Sequence, residues 1–234
     1  PEAAYAVSEL SVYMSRWGSK TYEQGLRVLR YLYQTREKIL KFSRGNDRDV
    51  DIVAYADSNY GDSRDTGSGD KWRSQGGHAI FVAGQLVAWR SKRHPCVTLS
   101  SMEAEYVEAT CAAQEVLWWR RVLADLGFPQ QEPTVLREDN KACIAFSLNH
   151  TAHARSKHID IRLWWLRQEV KGRSIEMEHI GTDDMIADIM TKHLGRPKFE
   201  KFSDCLYDGL DVNASVRYEC MACNSIDKLC GMSV

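Results

Sequence analysis

Four acidic residues fall where a sheet could present them together. Val53-Ala-Tyr-Ala-Asp-Ser-Asn-Tyr-Gly-Asp62 starts as a short apolar strand and ends in a turn, with Asp57 where the strand should stop. Thr134-Val-Leu-Arg-Glu138 reads as another strand and runs straight into Asp139. If those two strands are adjacent and parallel, both carboxylates project from one edge, the place where such sheets hold ligands. Glu105 lies one turn into a long helical pattern, on the side of Met102, Ala109, Ala112 and Val116, so it can point toward that sheet. Asp188 is flanked by Ile186, Ala187 and Ile189, a setting costly for a charge unless it faces a site or a partner. Taken singly, each reads as a turn-maker or a surface acid. Converging carboxylates repel one another, and they coexist when a divalent cation neutralises them. Hard oxygen ligands suit magnesium or manganese. Two such ions roughly 4 Å apart can activate a water and stabilise the leaving oxygen of a phosphodiester. The chemistry that this set implies is metal-assisted phosphodiester hydrolysis.

The elements that must position these residues follow from periodicity. Asp51–Asp57, Ser74–Val82 and Gln85–Arg90 are expected strands with short turns between the last two, an antiparallel meander. A helix is expected over 101–126, capped by Ser100 or Ser101, with Met102, Tyr106, Ala109, Ala113, Val116 and Leu117 on one stripe. Gly127-Phe-Pro129 ends it. After the strand at Thr134 come a short helix over 140–148, an amphipathic helix over 158–170 and a fifth strand, Ser174–Ile180. A last helix is expected from Asp183 to about Lys192, capped by Thr182. The order gives an α/β domain built on a mixed five-stranded sheet, three strands antiparallel and two further strands parallel, flanked by helices. An N-terminal helical extension precedes it, with Thr21 as a possible cap of its second helix.

The 234 residues suit one sizeable domain, expected over 45–195, preceded by helical residues 1–44 and followed by a C-terminal tail, 196–234, with a candidate short helix over 198–208 and a loose remainder. The net charge of −1 does not announce a nucleic-acid partner, but basic residues cluster locally, at Arg90–His94, Arg120–Arg121, Arg155–His158 and Lys192–His193, so a basic groove is compatible with it. No apolar run is long enough to span a bilayer. The start, Pro1-Glu-Ala-Ala, has neither the basic region nor the apolar core of a secretory signal, and its lack of Met suggests a piece of something longer. Seven scattered cysteines suit free thiols in a reducing compartment, so an intracellular location, in a cytoplasmic particle or the nucleus, is expected. In the tail, Cys220, Cys223 and Cys230 lack a convincing fourth ligand for zinc.

Five segments together resemble the ribonuclease H domain of copia-type LTR retrotransposon polyproteins. They are Tyr55-Ala-Asp-Ser-Asn-Tyr-Gly-Asp62, Leu99-Ser-Ser-Met-Glu-Ala-Glu-Tyr106, Glu138-Asp-Asn-Lys-Ala-Cys-Ile144, Arg155-Ser-Lys-His-Ile-Asp-Ile-Arg162 and Ala187-Asp-Ile-Met-Thr-Lys192. Any one would be weak; their order and spacing make the combination specific, over about residues 50–195. Residues 1–40, with Arg27-Val-Leu-Arg-Tyr-Leu32, resemble the segment that joins reverse transcriptase to ribonuclease H in that family.

The resemblance implies a ribonuclease H-like fold, a mechanism with two magnesium or manganese ions, and cleavage of the RNA strand of RNA–DNA hybrids. It implies a reverse transcriptase domain of the same polyprotein as partner. It carries the acidic quartet over to Asp57, Glu105, Asp139 and Asp188. Glu103 competes with Glu105, but two residues apart on a helix they cannot both face the site. Asp183 and Asp184 compete with Asp188, but sit in a first helical turn, where capping explains them. His179 stands at about the interval before Asp188 where many ribonucleases H carry a histidine that assists product release; otherwise it is the polar end of a strand. Ser58 and Asn140 are candidates for touching the hybrid or a water behind the metal ligands. Arg155, Lys157 and His158 read either as surface charge or as contacts to the hybrid backbone. Trp89, Trp164 and Trp165 read as packing rather than stacking platforms. Two alternatives remain: a remnant that binds hybrid or protein without cutting, and an integrase-like transferase, whose pattern of two Asp with the Glu last does not match.

Overall fold

The computed structural model describes residues 1–42, 50–61, 72–148, 157–211 and 219–220; the side chains of 157–161, 163, 211, 219 and 220 lie outside the described set. Two helices, α1 (Ala4–Ser11) and α2 (Ser19–Gln34), precede the strands β1 (Ile52–Asn59), β2 (Gln75–Val82) and β3 (Gln85–Arg93). Then come α3 (Ser101–Asp125), β4 (Thr134–Glu138), α4 (Lys141–Leu148), α5 (Lys157–Lys171) and β5 (Ile175–His179). Two 3₁₀ helices, Thr182–Asp184 and Ile186–Met190, lead to α6 (Arg196–Asp208). A two-residue strand β6 (Leu210–Asp211) pairs antiparallel with β7 (Glu219–Cys220).

The main sheet has the order β3-β2-β1-β4-β5. β1 pairs antiparallel with β2, and β2 with β3, while β1–β4 and β4–β5 are parallel. This is the expected mixed sheet. β1 lies at its centre, and all but its last residue are buried, as a strand covered on both faces requires. Alternation then splits the core. Ile52, Ala54 and Ala56 meet Tyr106, Ala109, Ala113 and Val116 of α3, together with Leu166 of α5. Val53 and Tyr55 meet Met185, Ile189, Met190, Phe202 and Leu206 on the opposite face.

The start of α3 is fixed by reciprocal capping. Ser100 Oγ accepts from Glu103 N at 3.2 Å, and Glu103 Oε2 accepts from Leu99 N at 2.8 Å. One turn further on, the fully buried Glu108 accepts from His78 Nδ1 of β2 at 2.8 Å and from His94 Nε2 at 3.0 Å. Arg90 stands 4.0 Å from it. Burial opposes the Glu108 charge, but the two histidine bonds and Arg90 override this and hold its carboxyl at about 2, below the usual 4.5. The bridge pins α3 to β2. Gly76 makes room for it, since a Cβ there would lie 2.0 Å from Glu108 Oε2. Gly77 serves the other face, where a Cβ would lie 2.5 Å from Met190 Cβ and 2.8 Å from Thr191 Cγ2.

Several sequence expectations are corrected. The last helix is two 3₁₀ helices, because Met185 between them is extended (φ −72°, ψ 93°) and wholly buried. Thr182 makes no side-chain cap. α2 begins at Ser19 after Gly18, so Thr21 lies inside it and does not cap it. The candidate helix over 198–208 is α6, but it is no peripheral tail: Phe202, Cys205 and Leu206, with Leu210 just beyond, are buried in the second core. The cysteines Cys223 and Cys230 lie outside the described residues. Residues 1–42 also pack on this face. Tyr5 is buried edge-on to His193, Glu2 accepts from Tyr31 and Tyr207, and Lys38 donates to Ser203. Of the tryptophans, Trp165 packs against the first core, while Trp89 and Trp164 are 40% and 63% exposed. Adjacent helical positions point about 100° apart, so Trp164 and Trp165 cannot share the inward face.

Two outcomes follow from this packing. Glu108→Gln is expected to cost about 1–3 kcal/mol at neutral pH, because a buried donor loses its acceptor. A carboxyl depressed on folding stabilises fully above its unfolded value, so the wild-type advantage should hold above pH 4.5 and shrink toward about 2. Urea unfolding of both proteins across that range checks it; a pH-independent difference would contradict it. Gly77→Ala is expected to cost about 1–3 kcal/mol by forcing the Met190–Thr191 segment off β2. An unchanged urea midpoint would show that the segment gives way freely.

Candidate active site

The parallel pairing of β1 with β4 ends at Tyr55 and Arg137. Asp57 and Asp139 each lie two residues further on, so they stand level with each other where the strands part. Asp57 remains within β1, opposite Gly77, and is 1% exposed; the strand runs two residues past the expected end. Glu105 reaches the same point from α3. Ligand oxygens of Asp57, Glu105 and Asp139 all lie within 4.8 Å of one another. Glu103, used in the cap, is not part of the group.

A fourth acid was missed by the sequence reading. Glu138 is wholly buried; its Oε1 accepts from Asn140 N at 3.2 Å, while its Oε2 has no hydrogen-bond partner. The signal was alternation: Glu138 shares a strand face with Leu136, which packs under α3, so it meets Glu105. Burial, then the Glu138, Asp57 and Asp139 charges, push Glu105 well above the usual carboxylate range. Burial and the Asp57 and Asp139 charges do the same to Glu138. Burial raises Asp57 to about 6 against the opposing pull of Lys192, with Asp188 and Asp139 adding to the rise. Glu105 Oε2 is likewise buried without a partner. Orphaned anionic oxygens in an all-oxygen cluster fit a hard divalent cation.

Asp188 approaches from the second 3₁₀ helix but stands outside the 4.8 Å group. Lys192 Nζ lies 2.7 Å from its Oδ1 and 3.5 Å from Asp57 Oδ1. Lys198 Nζ donates to Asp188 Oδ2 at 2.8 Å and to Thr182 O at 2.7 Å. Thr191 Oγ1 donates to Asp57 Oδ2, and Thr182 Oγ1 to Asp139 Oδ2 at 2.9 Å. Burial opposes the Lys192 charge, but Asp57 and Asp188 override it and raise its pKa. Lys192 belonged to a noted segment, yet its role was missed; its spacing four residues after Asp188 was the available signal. The rivals Asp183 and Asp184 are exposed, and Asp184 pairs with Lys201.

The remaining predicted residues are placed unevenly. Asn140 Oδ1 accepts from Ala142 N and Cys143 N at 3.0 and 3.1 Å, capping α4. Ser58 is buried, with its hydroxyl unpartnered, so it presents no group at the surface. His179 is exposed at the end of β5, level with Glu138. Arg155 lies outside the described residues; Lys157 and His158 open α5, their side chains outside the described set. No helix among the described residues is long and apolar enough to cross a membrane.

No family model matches the chain. Known proteins do. It is 36% identical over 200 residues to the retrovirus-related Pol polyprotein from transposon TNT 1-94 of Nicotiana tabacum, covering 86% of this chain and 14% of that one. It is 31% identical over 203 residues to the corresponding polyprotein from transposon RE2 of Arabidopsis thaliana, covering 87% and 14%. The chain thus spans about one-seventh of the curated relatives it matches. Among solved structures, LC11-RNase H1 in complex with RNA/DNA hybrid aligns at 13% identity and a TM-score of 0.43, over 60% of this chain and 93% of that one. The long matches lead to one assignment: over about 200 residues the chain is a relative of the retrovirus-related Pol polyproteins of transposons.

Proposed function

We propose that this domain hydrolyses the RNA strand of RNA–DNA hybrids with the help of divalent magnesium or manganese. The observation that carries the reading is the convergence of Asp57, Glu105 and Asp139 within 4.8 Å, with Glu105 Oε2 and the adjacent Glu138 Oε2 buried without hydrogen-bond partners. Asp188 completes the acidic quartet from the opposite side of Asp57. When bound, two ions would activate the attacking water and stabilise the leaving oxygen of the phosphodiester. The protein's part is positional. Thr191 and Lys192 orient Asp57, Thr182 orients Asp139, and the capped α3 delivers Glu105. Glu138 adds negative charge behind Glu105 and favours cation uptake.

The hybrid is expected to lie across this opening, read by its shape, phosphates and 2′-hydroxyls. Asn140 contributes through its amide nitrogen, since its oxygen caps α4. Arg155, Lys157 and His158 contribute to binding of the hybrid backbone. His179, exposed at the end of β5, assists product release in this reading. The reverse transcriptase domain of the same polyprotein is the natural partner, by the nature of the relatives matched.

Incubating a labelled RNA–DNA hybrid with magnesium is expected to give fragments of the RNA strand alone. Asp57→Asn and Asp139→Asn should each slow cleavage by about 10²–10³-fold, the usual effect of removing one preorganised electrostatic group. Chelation should abolish cleavage. Equal rates for the parent and both variants would overturn the proposal, and salt-dependent binding without turnover would favour a non-cutting remnant.

A further inference from the structure

The cluster is divided by charge. Asp57, Glu105 and Asp139 gather on one side with Glu138 behind them, a net excess of acid. On the other side Asp188 faces two ammonium groups: Lys198 donates to its Oδ2 at 2.8 Å, and Lys192 stands 2.7 Å from its Oδ1, a pure ion pair because that oxygen receives no hydrogen bond. Lys192 also reaches Asp57 at 3.5 Å, so its Nζ stands between the two aspartates. Asp57 and Asp188 carry two negative charges and the two lysines two positive ones. That half of the site is already neutral. A dication placed there would meet two like charges at close range, whereas none of the described lysines lies within ion-pair distance of Glu105 or Asp139.

The lysine is also held. It lies four residues after Asp188 on the buried segment that Gly77 admits against β2, and is only 34% exposed at its side chain. Its neighbour Thr191 is bonded to Asp57. The Asp57–Asp188 gap is therefore filled by a group built into the same turn as Asp188 itself.

From this geometry we infer that Lys192 is a positioning residue that fills the Asp57–Asp188 half of the site as a tethered cation. The substrate-free domain then takes up a single divalent ion, in the Asp57–Glu105–Asp139 half. A second ion enters beside Asp188 only when Lys192 swings away, as it can once an anionic scissile phosphate gives its ammonium another partner. The inference rests on the metal-dependent reading above, but concerns the order of loading rather than the reaction.

Counting manganese ions on the substrate-free protein, by calorimetric titration and by the paramagnetic resonance of free Mn²⁺, tests it without reference to activity. The parent is expected to take up one ion, Lys192→Met two, and the charge-conserving Lys192→Arg one. Two ions on the parent would overturn the inference, and that count needs no variant to fold. One ion on a folded Lys192→Met, confirmed by its urea transition, would overturn it too. No ion on any of the proteins would instead sink the metal-dependent reading itself, and Asp57→Asn distinguishes the cases by abolishing the single site if that reading holds.

Discussion

Like charges cannot be brought together in a protein interior without something to hold them there. Asp57, Glu105, Glu138 and Asp139 meet at the opening between β1 and β4, three of them almost wholly buried. Burial favours the neutral forms of Asp57, Glu105 and Glu138, and the repulsion from their acidic neighbours adds to that. The rest of the fold can be understood as the means of enforcing this arrangement. The parallel register sets Asp57 and Asp139 level, the core under α3 brings in Glu105, and the opposite core presses the 3₁₀ segment with Asp188 onto β2.

The same sheet shows two ways of accommodating buried acid. Glu108 is compensated permanently, by His78, His94 and Arg90, and its carboxyl is held far below the usual range. Glu105, three residues earlier on the same helix, has a carboxylate oxygen with no partner and is pushed the opposite way. A helix that carries an uncompensated charge into a site needs a compensated anchor nearby, or the repulsion would lift it away. Gly76 and Gly77, adjacent on β2, open one face for the Glu108 bridge and the other for Thr191. The loss of side chains at those positions weakens the strand locally, and the contacts they admit offset that cost.

Much of this was legible in the sequence, and the reasons are particular. The all-buried run of β1 and the capped, striped α3 carry strong periodic signals, so Asp57, Asp139 and Glu105 could be placed before any coordinates. The choice of Glu105 over Glu103 was decidable, because the cap needs an acid at the third helical position. Glu138 was overlooked because it abuts a more conspicuous Asp and reads as a polar strand end. The 3₁₀ geometry around Asp188 was not legible: five buried residues pattern equally well as a helical turn, and the extended Met185 that breaks it is set by tertiary packing. The burial of Ser58 was not legible, because alternation in a strand covered on both faces leaves no side exposed. The lysines were hidden for another reason. A cation beside an acid cluster is seen only when the acids' positions are known.

That last point bears on where the folded unit ends. A boundary at residue 195 follows from the fading of periodicity there, and it would exclude Lys198 and α6. Yet Lys198 holds both Asp188 and the carbonyl of Thr182, whose hydroxyl in turn bonds Asp139. Phe202 and Leu206 close the core beneath Ile189 and Met190. Residues 1–42 close the same face, through Tyr5 on His193 and Glu2 between Tyr31 and Tyr207. The acids from β1, α3 and β4 are carried by the sheet and its long helix, but the Asp188 side is built by segments that the sequence places at the periphery. The two halves of the site thus rest on different parts of the chain, and it is the peripheral part that supplies the ammonium groups.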